Sequence, residues 1–561
     1  MNKKKLAAYI AAVMGSSLIA GSSAFAGSAT ASTSAPESSP IAFNLPTVSQ
    51  WWNGNSGTAN WLGLGYALQD YGLTISGSAK ETYLGQATPA AYAQKSTARN
   101  YAIPTSNWGN EEKLNFTLDL GKKFGLDGVS LESDWRYREV NGSQNNPYTA
   151  QAAGTAGARN GQVTTSMFNP DKDTSGMGIR VMQQFAKWQS DASKDPQYLV
   201  KLGWINPYED FLQQPESKNF ENNAIASAKG IGSAAYGYYN PGAQGNHSPY
   251  QVTATPWSSS YETWGGTLRV KPTSATYLQS FFGAAIAGEQ GVQSQDNPAN
   301  GKPQGSGGAY NNHGFNFQGT AKFVTGAGTT GAQQQGKYAY GQTGVYNVNE
   351  FGWTPKFGDA KLEGHYAIGN YIWGQNNNDY GSHSGNATIS GLYIQADQRL
   401  TAVQTAAPAA PSLSKNPVDS KNPVAAAPAA YDKTRGLYSF TEATYTPADC
   451  SSMSFYFQTG LVYKGLFDAR KNDKTGVAWG EGFYSQNMNS SISQLYPKQN
   501  GASGGYGGQN FSSTGVFEYF YDFAINKWLD FVPDAQYIIN PAGNGSCVNA
   551  LVLGATISAK F

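Results

Sequence analysis

Charge is scarce in this chain. Of its 561 residues 13% are Asp, Glu, Lys or Arg, about half the usual share, and they nearly cancel at a net +1. That balance gives no electrostatic footprint for nucleic acid as a partner. Cysteine occurs twice, at Cys450 and Cys547, without the C-x-x-C spacing of a thiolate metal site or a dithiol redox pair. Histidine occurs four times. Neither a G-x-S-x-G elbow nor an H-E-x-x-H pair is present, so the sequence signatures of a hydrolase are missing. No cofactor or metal is expected. Beyond the N-terminus no window approaches about 18 consecutive apolar residues, which excludes a membrane-spanning helix.

Residues 1–26 read as a secretory signal. Lys3, Lys4 and Lys5 precede an apolar run from Leu6 to Ala20, and Ala24-Phe25-Ala26 is an A-x-A cleavage site. Export without helical spans leaves secretion, a periplasmic life or a membrane barrel. Residues 27–59 are expected to be a flexible leader, rich in small polar residues and proline where it begins. In "WLGLGYALQDYG" Leu62, Tyr66 and Leu68 recur at helical spacing, which predicts a short periplasmic helix over 60–72 closed by Gly72.

What the chain does have is Gly (66), Tyr (35), Trp (13) and a mean hydropathy of −0.46 despite few charges. Its polarity therefore comes from Asn, Gln, Ser, Thr and Gly. From Leu73 onward the hydrophobic period is two, the period of a strand. Sixteen candidate strands follow: 73–84, 112–120, 128–140, 175–189, 197–205, 261–271, 275–286, 343–355, 360–373, 387–400, 436–447, 453–464, 474–485, 512–526, 528–540 and 549–561. Most are of membrane-strand length, and their connections alternate between short and long. This predicts an all-β fold over 73–561, a 16-stranded antiparallel outer-membrane β-barrel with short periplasmic turns and long extracellular loops. One connection breaks the alternation. The Pro/Ala-rich stretch 402–433 falls on the short-turn side, either as a solvated insertion or as a contact to cell wall or a periplasmic partner.

The segment "VSLESDWRYREV" fixes which face is which. Leu131, Trp135 and Tyr137 share one parity, and Glu132, Asp134, Arg136 and Arg138 share the other. Facing lipid, each Arg near the midplane would cost about 2–4 kcal/mol, so the charged parity belongs to the water-filled lumen. The same reasoning turns inward Lys80, Lys113, Asp119, Arg180, Lys201, Glu363, His365, Asp397, Arg399, Glu518, Asp522, Asp534 and Gln536. Glu350 stays open, because Asn347 and Asn349 claim the opposite parity. After the fifth strand, "INPYEDF" is either a plain turn or a loop folded inward, with Tyr208, Glu209 and Asp210 offering a ring face and acceptors. Tyr83, Trp135 and Tyr137 suit an aromatic girdle at the membrane interface. Cys450 and Cys547 both fall in connections on the long-loop side, so a disulfide between them is geometrically allowed.

The stretches "WLGLGYALQDYGLTISGSAKETYLG", "LVKLGWINPYEDF", "WGGTLRVKPTSATYLQSFFGA", "NEFGWTPKFGDAKLEGHYAIG", "GLYIQADQ", "GLVYKGLFDARKNDKTGVA", "FEYFYDFAINKWLDFVPDAQYIINPAG" and the terminal "ALVLGATISAKF" follow one another in this order. Together they resemble the carbohydrate-selective porin family (OprB type). The resemblance runs from residue 60 to the C-terminus. It implies a 16-stranded outer-membrane barrel that passes small sugars, glucose above all, by passive diffusion. Its partners would be outer-membrane lipid and sugar solutes. Trp204 departs from the family, which usually has Arg there. A sugar carries hydroxyls and apolar C–H faces, so mixed donors, acceptors and rings in a lumen suit it. A general or weakly ion-selective porin is the alternative on the same barrel, a barrel enzyme and a secreted lectin being less compatible with these motifs. Monomer and homo-oligomer are equally open.

Overall fold

A strand with one face in lipid and one in water still has backbone N–H and C=O groups along both edges. Hydrocarbon cannot satisfy them, so the sheet must close on itself. The computed structural model shows that closure. It describes residues 47–87, 106–141, 178–191, 195–226, 263–286, 343–377, 387–405, 430–448, 453–486, 512–540 and 549–561. Among them sixteen strands form the wall: β1 (Leu73–Gln86), β2 (Ser106–Asp119), β3 (Val129–Asn141), β4 (Gly178–Gln189), β5 (Tyr198–Ile205), β6 (Thr263–Thr273), β7 (Thr276–Ile286) and β8 (Thr343–Trp353), followed by β9 (Leu362–Asn377), β10 (Ala387–Arg399), β11 (Gly436–Tyr445), β12 (Met453–Lys464), β13 (Lys474–Tyr484), β14 (Ser513–Ala524), β15 (Leu529–Ile539) and β16 (Ala550–Lys560). Each pairs antiparallel with the next, and β1 pairs with β16 from Ser78↔Lys560 to Gln86↔Val552. A two-residue strand, Lys356–Phe357, pairs with the foot of β9 in its turn. No helix among the described residues is long and apolar enough to cross a membrane.

The alternation read from the sequence is the alternation of the wall. On β3 Leu131 and Trp135 are exposed on the outer face, while Arg136 is nearly covered on the inner one. β2 begins six residues before its expected start. "SNWGNE" shows no two-residue hydrophobic pattern, and the ladder to β1 (Gly85↔Ser106 through Lys80↔Glu111) carries it instead. The inner face explains much of the glycine and tyrosine. The Tyr393 ring lies over Gly369 on the next strand, where an added Cβ would sit 2.1 Å from its Cζ, and Tyr371 lies over Gly391 in the same way. Only a residue without a side chain leaves room for these rings.

At the short-turn end the N-terminal segment packs against the barrel. Thr47 and Gln50 form a reciprocal capping box on α1 (Val48–Trp52), an element the expected flexible leader did not contain. Trp51 and Trp52 pack on the fully buried Trp528, with ring centroids at 5.1 and 6.0 Å. Gly57 N–H donates to Lys560 O at 2.8 Å, tying the segment to the last strand. The expected single helix over 60–72 is divided. A turn of left-handed residues, α2 (Ala59–Leu62), meets α3 (Leu64–Asp70) at Gly63, whose φ of 90° breaks the helix. Asp119 does not face the lumen. Its side chain caps α4 (Leu120–Phe124) in the turn after β2, accepting from Gly121 N–H at 2.9 Å.

The insertion between β10 and β11 leaves the barrel as two paired strands, Gln404–Thr405 with Ala430–Tyr431. Arg399 holds its base, donating to the carbonyls of Thr401 (3.1 Å), Lys433 (3.0 Å), Asp432 (2.5 Å) and Arg435 (2.6 Å). Most of its five donors are thus spent on backbone, which corrects its expected place as a solute contact. Residues 406–429 lie outside the described ones. Replacing Trp528 with Ala should cost about 3–5 kcal/mol, as for other buried Trp truncations. The check is a lower temperature at which the barrel loses its resistance to SDS.

Candidate functional site

Ile205 ends β5 because Pro207 cannot continue the ladder. The chain then turns inward through Pro207–Glu209 and runs along the inner wall as far as Ala226, with short helical turns at Ser217–Asn219 and α5 (Asn223–Ala226). Its apolar side chains are as buried as any in the molecule. Phe211, Phe220 and Ile225 have no exposure, and Phe220 meets Phe520 of β14 and Phe440 of β11 edge-on at 4.8 and 5.6 Å.

The segment's carboxylates bind it to the wall at separated points. Glu209 meets Arg136 of β3 at 2.9 Å, Asp210 meets Lys201 of β5, Glu216 meets Lys464 of β12 at 2.6 Å, and Glu221 meets Lys80 of β1 at 2.7 Å. Two wall carboxylates take backbone donors in return. Glu350 of β8 accepts from Leu212 N–H at 3.0 Å, and Glu518 of β14 accepts from the N–H groups of Glu221 and Asn222. Asn222 also donates to Gln536 of β15 at 2.9 Å, and Gln458 of β12 donates to Gln214 at 2.9 Å. Burial pushes the Glu209 carboxyl up, but Arg136, supported by Lys218 and Lys113, outweighs it and holds the group at about 2.

The expected lumen residues therefore divide. Lys80, Arg136 and Lys201 hold the inner segment, and Asp134 braces Arg136 at 3.3 Å. Glu132 pairs with Lys187, Lys113 with Glu111 at 2.6 Å, and Asp522 with Lys474 at 3.2 Å. Glu518 and Gln536 have no exposure, and Asp534 accepts from Gln536 at 2.7 Å. These three lie beneath the inner segment, two fully covered and Asp534 nearly so, which corrects their reading as solute contacts. Glu363 sits at the rim, 70% exposed and 3.9 Å from Lys356, not inside the lumen. The side chains of Arg138, Arg180 and Tyr208, and both Cys450 and Cys547, lie outside the described residues. Trp204 meets the outward Trp264 edge to face, with centroids at 5.8 Å.

On the short-turn side of the segment is a cavity of about 430 Å³ between residues 209–215 and strands β5 to β9. Lys201, Arg269, Tyr277, Gln279, Glu350 and His365 line it, together with Glu209 and Asp210. The Tyr277 hydroxyl donates to Glu350 at 2.7 Å, as does that of Tyr393 at 2.8 Å. His365 Nε2 stands 2.7 Å from the same Tyr277 oxygen. With that hydroxyl proton committed to Glu350, Nε2 must be the donor to Tyr277. Gln395 then donates to Nδ1 at 3.2 Å, and Asp397 lies 3.6 Å from Nδ1. The Arg269 guanidinium covers the Tyr277 ring at 4.5 Å. Glu350, whose parity the sequence leaves open, faces inward here, and Tyr277, Arg269, Glu216 and Glu221 carry no reading from the sequence. For Glu216 and Glu221 no signal existed, since "QQPESKNFENN" has no period.

A profile of the family described as "Carbohydrate-selective porin, OprB family" matches residues 109–561. The chain belongs to that family. It is similar to Porin B of Pseudomonas aeruginosa, at 26% identity over 243 residues, which span 39% of this chain and 46% of that protein. Among solved structures it is similar to the high-pH structure of Pseudomonas putida OprB. There the TM-score is 0.60 at 20% identity, covering 91% of this chain and 99% of that one. Fold and family make this OprB-type chain an outer-membrane porin barrel, which points to a channel.

The Glu209 pairing sets a pH expectation. A carboxyl held below its ordinary value contributes stability that is complete above that value and lost as pH falls through the folded one. The contribution of this pairing to docking of the inner segment should thus be complete above the ordinary Glu value of about 4.3, fall progressively below it and be gone near about 2. Hydrogen exchange at Leu212 N–H and Asn222 N–H checks it, and Arg136→Ala should move the loss of protection to higher pH.

Proposed function

We propose that this porin passes small sugars of the glucose type in preference to other uncharged solutes, and that residues 206–226 narrow its lumen. The observation that supports this is the cavity beside the inner segment. It is lined by hydrogen-bond donors on Lys201, Arg269 and Gln279 and by acceptors on Glu209 and Asp210. Hydroxyls can exchange water for both kinds of partner. Net hydrogen bonds of about 0.5–1.5 kcal/mol each would give weak, millimolar binding from a few contacts, which a channel needs for release.

Pairing of the lumen charges favours an uncharged solute. Arg136, Lys201, Lys80 and Lys464 each face a carboxylate, leaving no basic stripe to attract phosphate or other anions. Residues 1–26, by this reading, are the export signal removed after Ala26.

Liposome swelling with sugars and with amino acids of matched size tests the preference. Sugars should enter faster, and equal rates would leave a general diffusion porin. Arg269→Ala should reduce the sugar advantage several-fold with folded barrel yield unchanged. Arg136→Ala, by freeing Glu209 and the first turn of the inner segment, should raise single-channel conductance.

A further inference from the structure

Near the short-turn end the lipid-facing parity stops being exposed before the strands end. On β15 and β16 Phe531 and Ile557 are cross-strand partners, 36% and 51% exposed, as lipid-facing side chains are. One pleat lower, about 7 Å along the strands, Leu529 and Ala559 pair on the same face and are only 1% and 4% exposed. The lumen side of this rim is open, since Thr74, Ser76 and Lys560 are exposed there. The cover therefore lies on the outside of the barrel.

The C-terminus gives the same answer. Gly77 and Phe561 exchange both backbone hydrogen bonds, at 2.8 and 2.9 Å, so their side positions share one face. That face is opposite to Lys80, which points inward to Glu221. A Cβ on Gly77 would sit 2.5 Å from the Phe561 ring, and Trp61 meets that ring edge-on at 5.4 Å. Residues 47–72 thus run around the outer rim, from the Trp51–Trp52–Trp528 cluster at the foot of β15 to Gly72 before β1.

This segment has the composition of a membrane interface. From Thr47 to Gly72 its one charged side chain is Asp70, against three Trp, three Leu and two Tyr. A helix in water sets charged residues opposite its apolar stripe, and here the polar positions are Ser, Thr, Asn and Gln. Val48, Leu62 and Tyr66 nevertheless stand exposed. We propose that residues 47–72 are a second, monotopic membrane contact, a collar whose Val48, Leu62 and Tyr66 enter the headgroup–acyl boundary of the leaflet on the short-turn side. The occupant is phospholipid. Lipid chains that wet Phe531 and Ile557 reach the collar without a break, because it covers the wall one pleat below them. Trp and Tyr are the side chains that suit this depth, each with an apolar ring and a polar tip.

A fluorescent amino acid at position 62 of the full-length protein, folded in vesicles of phosphatidylethanolamine and phosphatidylglycerol, reads the surroundings of the collar. Phospholipid brominated near its headgroup should quench it several-fold more than iodide present on both sides of the membrane. The same probe at position 557 should follow the brominated lipid, and at position 363, on the exposed rim, it should follow iodide. A probe at position 62 that follows iodide would overturn the proposal, and so would protection from both quenchers, which would mean that protein covers the collar. Leu62→Asp with Tyr66→Asp should leave single-channel conductance unchanged and make a probe at position 48 several-fold more sensitive to iodide. Leu62→Ser should shift it the same way if the double variant folds poorly. A probe at position 48 unmoved by these substitutions would overturn the anchoring role of the two side chains.

Discussion

Everything in this molecule follows from a backbone that must leave no hydrogen-bonding group to hydrocarbon. The pairing of β1 with β16 meets that requirement, since a closed ladder has no edge. Closure creates two solvents, one per face, and the residue period of two distributes side chains between them. Charge is scarce because only one face can hold it. That face spends its charge mainly on the protein itself.

The inner segment uses most of what the wall offers. A chain of some twenty residues lying in a water-filled barrel would lose much conformational entropy if it ordered alone. Ion pairs at β1, β3, β5 and β12 hold it, with backbone bonds to Glu350 and Glu518, while Phe220 and Ile225 bury against the wall. Partly buried pairs of this kind add geometry more than net stability. Their spread around the circumference fixes the position of the segment, and with it the shape of the cavity by Tyr277.

The outer face shows where the simple two-solvent rule bends. In β8 the polarity is inverted. Tyr346 and Val348 point inward with no exposure, and Asn347 and Asn349 point outward. This inversion is why the parity of Glu350 could not be assigned from composition along the strand. The ladder to β7 and β9 decides it, placing Glu350 inward with Tyr277 and Tyr393.

The sequence alone determined the number of strands, most of their limits, the two faces and the alternation of short and long connections. These depend on local periodicity and length, which neighbouring residues carry. It also placed Lys80, Arg136 and Lys201 on the inner face, because a lipid-facing cation is too costly for any other choice. The tertiary structure decided which partner each charge meets. Asp119 caps a turn and Arg399 ties down an insertion, and Glu518 serves backbone donors some 300 positions away in the chain. Such contacts have no period. They arise from a segment crossing the barrel, which only closure of the sheet brings within reach.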